Sequence, residues 1–436
     1  MTGATKSSLW KNNNFKLFWF GETVSLCGVQ VTNLALPLTA VVVLQVTPEQ
    51  LGLLRSFAFL PFLALALPFG VLVDRRPKRQ LMITANLLRA ALVALVPVLA
   101  ALDALSTPAL AVIVLSIGVC TVLFEVCWLA YVPVIVSRSD LVSANGRLSA
   151  SSSAAEFAGP GLGGLFVQVF SAPFALVVDA CSYLASVLSL WAIRAPEEIS
   201  PSANRHIGSE IAEGIGFIVR QPYLRVLAVA GAAFNFCYMF VEALFVIYAV
   251  RELNFEPGLI GLVIAMSSVG GMLGAAFAPS MIRRYRYGRV YTVAVLVGYG
   301  GPLLIPLHTG STVLTVVGVT AGFFLMRAGL AVSSVAGTSL RQAVTPRELM
   351  GRMTAGMRTV MWGVGTTGAI VGGVVGGRLG LRAGLWVASV GFLVAALPIL
   401  MSRIPHLREM PSLAQEERPM DRPADSGPRP SPLGSR

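Results

Sequence analysis

Charge is what this chain has least of. Asp, Glu, Lys and Arg make up 12% of its 436 residues, against roughly 25% in a soluble domain, while 55% are hydrophobic. Histidine is nearly absent: His206, His308 and His406 are the three present, all near loops or the chain end. No G-x-x-x-x-G-K-[ST] phosphate cradle occurs, no H-E-x-x-H, and no Ser–His–Asp arrangement stands out. Enzymatic chemistry therefore has no foothold, no catalytic residue is assigned, and no cofactor or metal is expected. The five cysteines (Cys27, Cys120, Cys127, Cys181, Cys237) fall inside apolar runs without metal-ligand spacing and read as small packing residues. Strand-like alternation over about 10 residues is missing too, which excludes a transmembrane barrel.

What remains is long apolar runs. A span needs about 20 mostly apolar residues, and twelve such runs occur, roughly at 15–45, 50–73, 80–102, 107–135, 143–169, 172–193, 223–250, 257–281, 289–307, 311–336, 353–377 and 383–402. The fifth, which opens Gly146-Arg-Leu-Ser-Ala-Ser-Ser-Ser, is small and polar rather than oily, as suits a helix packed closely among others. The expected fold is an all-α membrane protein of twelve transmembrane helices. The first run is too long for the core of a cleavable leader and is expected to be retained.

The net charge of +12 (33 Lys+Arg, 21 Asp+Glu) raises the question of a nucleic-acid partner. The distribution answers it. With the N-terminus inside, the inner loops hold Lys6, Lys11, Lys16, the cluster Arg75 to Arg79, the cluster Arg283 to Arg289 and the basic residues of 194–225, whereas the outer loops hold Arg251, Arg378 and Arg382. This is the positive-inside pattern. It predicts both termini in the cytoplasm and no nucleic acid.

Residues 194–222 form the longest internal polar stretch: a linker, then an amphipathic surface helix over Glu210–Arg220. They separate an N-terminal six-helix bundle (1–193) from a C-terminal one (223–402), and 403–436 reads as a disordered cytoplasmic tail. The halves are related. Asn33 to Gly52 aligns without a gap onto Glu242 to Gly261, with Pro48 on Pro257 and Gly52 on Gly261, a spacing of 257 − 48 = 209. Asp140-Leu141 with Gly146-Arg147 echoes Glu348-Leu349 with Gly351-Arg352, and glycines 159, 163 and 164 echo 365, 368 and 372. The expectation is two pseudo-symmetric bundles related by an axis along the membrane normal.

Between the second and third runs lies Gly70-Val-Leu-Val-Asp74-Arg75-Arg76-Pro77-Lys78-Arg79, an acid and four bases at a membrane surface. With the six-plus-six repeat it resembles the loop between helices 2 and 3 of the major facilitator superfamily. The resemblance implies alternating access, with Gly70, Asp74, Arg75, Lys78 and Arg79 as a gating motif, Asp74 meeting the start of helix 11, and the bases meeting lipid phosphates or acids. Pro77 stands where many members have Gly. The second-half counterpart Met281-Ile-Arg283-Arg284-Tyr-Arg286-Tyr-Gly288-Arg289 lacks the Asp, so the gate contact is expected to be stronger in one half. Ala155-Glu156-Phe-Ala-Gly159-Pro160-Gly161-Leu-Gly163-Gly164 is similar to the helix-5 motif of drug–proton antiporters, with Gly159, Pro160, Gly163 and Gly164 as its core, and implies export. Asn14-Phe-Lys-Leu-Phe-Trp19-Phe-Gly21, Ser25-Leu-Cys-Gly28, Leu36-Pro37 and Asp179-Ala-Cys-Ser182-Tyr183 resemble the branch of macrolide-efflux proteins and enterobactin exporters. Proton-driven export of a macrolide-like or siderophore-like compound is the implied function. Proton-coupled uptake or lysophospholipid flipping is the alternative. The partners expected are a small organic substrate, protons and membrane lipids, with the chain working as a monomer in the cytoplasmic membrane.

A charge inside a span costs at least about 2.5 kcal/mol near the bilayer centre and calls for a reason. Glu22, Arg89, Glu125, Glu156, Asp179, Glu242 and Arg327 are such charges, with Arg55 nearer an outer end. In the resembled fold, helices 1, 4, 7 and 10 line the cavity, and Glu22, Glu125, Glu242 and Arg327 fall one on each. Glu22 and Glu125 are read as one inner layer, two acids competing for a coupling proton. Glu242 lies further out, opposite Asn33 in the repeat, and is expected to meet substrate or proton; Arg327, near mid-depth, is expected to balance the charge of these acids, so that Glu22, Glu125, Glu242 and Arg327 form the proton-coupling set. Gln30, Asn33, Trp128, Tyr131, Asn235 and Tyr238 are the candidate substrate contacts, with Phe234, Trp128 and Phe245 as an aromatic wall. Asp179 is assigned a packing hydrogen bond.

Overall fold

The computed structural model describes residues 8–137, 140–197, 207–307, 310, 312–346 and 349–408. The expected tail beyond residue 408 and the middle of the expected linker, 198–206, lie outside them. Among the described residues there are thirteen α-helices and no strand: α1 (Asn13–Leu38), α2 (Pro48–Arg75), α3 (Lys78–Ala101), α4 (Thr107–Ile135), α5 (Leu141–Phe170), α6 (Ala172–Ala192), α7 (Ile207–Arg220), α8 (Pro222–Arg251), α9 (Pro257–Arg284), α10 (Tyr287–Gly300), α11 (Val313–Val344), α12 (Met350–Leu379) and α13 (Leu381–Leu400). All but α7 correspond to the twelve apolar runs. Ten are long and apolar enough to cross a membrane. The other two are α5, the small polar run, and α10, which is α-helical for 14 residues and then tightens at Gly301–Leu304. Pro302 has no N–H to continue an α-helix.

Helix starts follow local chemistry. Asn12, Thr47, Ser106, Gln221 and Thr312 each accept a backbone N–H from the first turn of α1, α2, α4, α8 and α11. Thr47 and Gln50 close a reciprocal capping box around Pro48.

The repeat is stricter than the sequence comparison finds. Adding 209 to the bounds of α2 and α5 gives the bounds of α9 and α12, and the first residues of α3 and α6 map likewise onto those of α10 and α13. Left-handed backbone recurs at the same spacing: Gln45 (φ 50°) and Asn254 (φ 53°), Ser171 (φ 68°) and Gly380 (φ 92°). Two of the expected correspondences shift accordingly. Gly159, Gly163 and Gly164 pair with Gly368, Gly372 and Gly373, not with 365, 368 and 372, and Asp140 pairs with Leu349, both being the residues that precede their helix. Residue likeness alone admits the other registers because glycine is so frequent in these helices.

The loops at one end carry the basic clusters 75–79 and 283–289, and α7 lies at that end too, packed on α12 with Glu213 bonded to Arg352 at 2.8 Å. The two halves meet towards the opposite end, along two seams. In the first, a Cβ on Gly52 of α2 would stand 2.6 Å from the Ala369 carbonyl of α12, and Ser56 donates to the Thr366 carbonyl. In the second, a Cβ on Gly261 of α9 would stand 2.4 Å from the Pro160 carbonyl of α5. Both seams stop midway. In α9, Ile260, Gly261, Val263, Ala265 and Ser267 are buried, but beyond them only Gly270, Gly274 and Ala278 are, one stripe with its glycines against α11. The molecule is thus closed at the far end and open at the basic end.

Candidate functional site

Two cavities with charged walls lie on the path between the halves. The one nearer the basic end, about 340 Å³, is lined by Glu22 and Val29 of α1, Arg89 of α3, Glu125 and Trp128 of α4, and Arg358 of α12. The geometry brings Glu22 and Glu125 to one wall. Behind them Arg89 is buried, its guanidinium carbon 4.3 Å from the Tyr183 ring and 5.3 Å from the Phe124 ring, with Nη1 donating to Asn86 at 3.1 Å. Asn86 in turn donates to Ser186 of α6 at 3.0 Å. Asp179 lies off the cavity, fully buried, accepting from Thr32 at 2.5 Å and Ser182 at 2.9 Å. It ties α6 to α1 where Gly28 leaves room, a Cβ there falling 2.6 Å from the Asp179 carboxylate.

The second cavity, about 200 Å³, lies deeper and touches both halves. Gln30 and Asn33 of α1 and Arg55 of α2 face Tyr238 and Glu242 of α8 and Arg327 of α11. Arg327 donates to the Tyr238 hydroxyl at 3.0 Å. Arg55 stands 3.6 Å from Glu242, an ion pair between the halves. Arg327 therefore belongs to the Glu242 layer rather than to the inner acids. Phe59, Phe245 and Phe323 supply apolar wall.

Not every candidate faces this path. Tyr131 lines neither cavity: it is buried in the first bundle with its ring 5.9 Å from Phe18. Asn235 donates to the Met361 carbonyl at 2.6 Å and fastens α8 to α12. Phe234 packs inside the second bundle against Tyr299 and Phe392. Glu156 bonds Ser152, while its backbone carbonyl accepts from Ser268 of α9. Sequence reasoning missed Arg358 altogether and left Arg55 without a role. A charge inside an apolar run was the available signal for Arg55.

The helix-5 motif works on two faces. Gly159 and Gly163 sit against Gln30 and Val31 of α1, inside their own bundle, whereas Pro160 and Gly164 sit against Gly261 and Pro257 of α9, across the seam. The 70–79 loop also differs from expectation. Asp74 makes no hydrogen bond or ion pair with any described residue, those of α12 included. The contacts that do form are within the first half. Pro77 offers no capping side chain to α3, and Glu197, at the start of the linker, takes that role by accepting from the N–H groups of Lys78 (2.5 Å) and Arg79 (2.9 Å). The Arg79 side chain donates to the last carbonyls of α6, at Leu190 and Trp191. Lys78 thus joins this clamp through its backbone, while Gly70 and Arg75 lie on the last turns of α2. Among the described residues no cluster of His, Cys, Asp and Glu stands ready for a metal.

The profile of the family described as transmembrane secretion effectors, MFS_3, matches residues 4–427. The multidrug efflux pump Tap of Mycolicibacterium fortuitum is 25% identical over 365 residues, 80% of this chain and 86% of that protein. Macrolide efflux protein A of Streptococcus pyogenes is 23% identical over 274 residues, 60% of this chain and 66% of that protein. Among solved structures, a bacterial homologue of the iron transporter ferroportin, in an inward-facing state, superposes with a TM-score of 0.72 at 15% identity, over 91% of this chain and 99% of that one.

Proposed function

The chain belongs to the transmembrane secretion effector family of the major facilitator superfamily, and we propose that it exports an amphipathic organic compound, of the macrolide or multidrug kind, in exchange for protons. The observation that carries this reading is the pair of charged layers on one path, with acids on α1 and α4 nearer the open end and an ion pair between the halves nearer the closed end. A path open at one end and sealed at the other is one of the two states alternating access requires. The names of the efflux relatives support export and point to the cargo.

In this reading the basic end faces the cytoplasm, as do both termini, and the protein works as a monomer in the cell membrane, its loop arginines at lipid phosphates. Cargo enters from the basic end and rests in the deeper cavity. Gln30, Asn33, Tyr238 and Glu242 offer it polar partners there, and Phe59, Phe245 and Phe323 cover its apolar part. The proton rides on Glu22 and Glu125, two acids on one wall that an apolar medium does not allow to be charged together at little cost.

The test is transport of labelled erythromycin and a panel of other antibiotics into inverted vesicles. Uptake requires an acidic lumen, and the Glu22→Gln, Glu125→Gln double variant loses at least about 10-fold of gradient-driven rate at unchanged protein level, as expected for groups that carry the coupled ion. Transport indifferent to the gradient would overturn the exchange, and full-rate pumping by the double variant would remove these two acids from it.

A further inference from the structure

Arg358 belongs to none of the motifs, yet its position is singular. The cavity that holds Glu22 and Glu125 is walled by α1, α3 and α4 of the first half, and among the described residues Arg358 of α12 is the one the second half contributes. It is exposed, makes no hydrogen bond or ion pair with a described residue, and lines the same cavity as Glu125. One helical turn further along α12, Trp362 is wedged against Phe59 and Phe62 of α2, both ring centroids at 5.3 Å. Leu63 then meets Gly363, whereas nearer the basic end Gly356 of α12 packs on α7. Arg358 is thus the first charge of α12 on the basic side of these contacts, in the cavity that holds the two acids.

If the seam lengthens toward the basic end as that end closes, the next turn of α12 to be drawn in carries Arg358. We propose that Arg358 closes onto the Glu22–Glu125 pair when the basic end shuts, so that ionised acids hold that end closed and a proton arriving on them releases it. This rests on the exchange reading above and gives it a device. A ligand shifts a two-state equilibrium only by its differential affinity for the two states, and a pair present in one state and absent in the other supplies such a difference for the proton. The sense fits export. Without its proton the transporter stays shut on the side from which cargo came. A proton from the far side breaks the pair and lets the basic end reopen. The other charged or titratable groups facing these acids are Arg89 of α3 and, behind it, Asp179 and Tyr183 of α6. All three belong to the same half and move with the acids, so Arg358 is the partner that changes between states.

The experiment uses the full chain with its native cysteines replaced, spin-labelled at Val71→Cys of α2 and Thr354→Cys of α12, two exposed positions near the basic end. The distance between the labels in vesicles reports how many molecules are closed there as pH is varied. In the parent the closed fraction rises with pH. In R358Q the closed-to-open ratio at high pH falls about 10-fold, a coupling of ordinary size, and its pH dependence is lost. R358K keeps most of both, and the swap E125R with R358E restores closure in part. A pH-dependent closed fraction in R358Q equal to that of the parent would overturn the proposal, as would a parent whose closure ignores pH. Gradient-driven transport by the parent is measured alongside. Transport that ignores the gradient while closure still depends on pH and on Arg358 would overturn the exchange reading and leave this inference standing.

Discussion

Arg55 and Glu242 come from different halves and approach to 3.6 Å with the far end shut. Both side chains are partly screened, at 19% and 31% exposure, so the pair is worth more than a surface bridge and less than a fully buried one, about 1–3 kcal/mol. Removing either charge favours parting of the halves at that end. Arg55→Gln or Glu242→Gln is expected to raise labelling of a far-end cysteine by a membrane-impermeant thiol reagent by about 10-fold, the population equivalent of roughly 1.4 kcal/mol. The swap R55E with E242R is expected to return part of the difference. Unchanged labelling in both single variants would show that the pair contributes nothing to closure. Glu242 also borders Tyr238, which accepts from Arg327, so E242Q is expected to impair transport more than R55Q does.

At the scale of the helix, the two faces of the 159–164 motif make separable predictions. A Cβ on Gly159 would meet Gln30 at 2.3 Å within one bundle, whereas a Cβ on Gly261 would meet the Pro160 carbonyl at 2.4 Å across the seam. Gly159→Leu is expected to destabilise the first bundle by overpacking, at about 1–3 kcal/mol, seen as a lower melting temperature. Gly261→Leu is expected to leave melting nearly unchanged and to favour the state open at the far end, seen in thiol accessibility. Equal loss of melting temperature in both would remove the distinction. Much of this level was legible in the sequence: the twelve runs and the 209-residue spacing at Pro48 and Pro257. The direction each helix faces was not. Most of these spans are apolar around their whole circumference, so periodicity does not tell cavity from core. For that reason Tyr131 and Asn235, polar groups on cavity-lining helices, turned out to serve packing. Arg358, a charge inside the run 353–377, offered the same signal as Arg55, but its place beside two acids of the other half follows from no local pattern.

For the molecule as a whole, the strict repeat says what the second state must use. The far end closes through α2 with α12 and α5 with α9, and alternating access closes the basic end with the other halves of the same four helices. At the basic ends of α2 and α9 stand Asp74 and, 209 residues on, Arg283. Their facing helices begin after Leu349 and Asp140. Leu349 gives α12 no capping side chain, so its free N–H groups invite Asp74; α5 begins with its own acid, so it invites Arg283. The acid missing from the second loop is thus present on the opposite side of its seam, and the expected imbalance between the two gates is smaller than the loops alone suggest. Asp74→Asn and Arg283→Gln are each expected to lower the closed-to-open ratio at the basic end by about 2- to 10-fold, the range of a charge acting at a helix terminus or an exposed pair. The label pair on α2 and α12 reads the first, and its equivalent on α9 and α5 the second. Because both seams close in one movement, either substitution is expected to move both distances. If each moved its own seam alone, the halves would not close as rigid bodies.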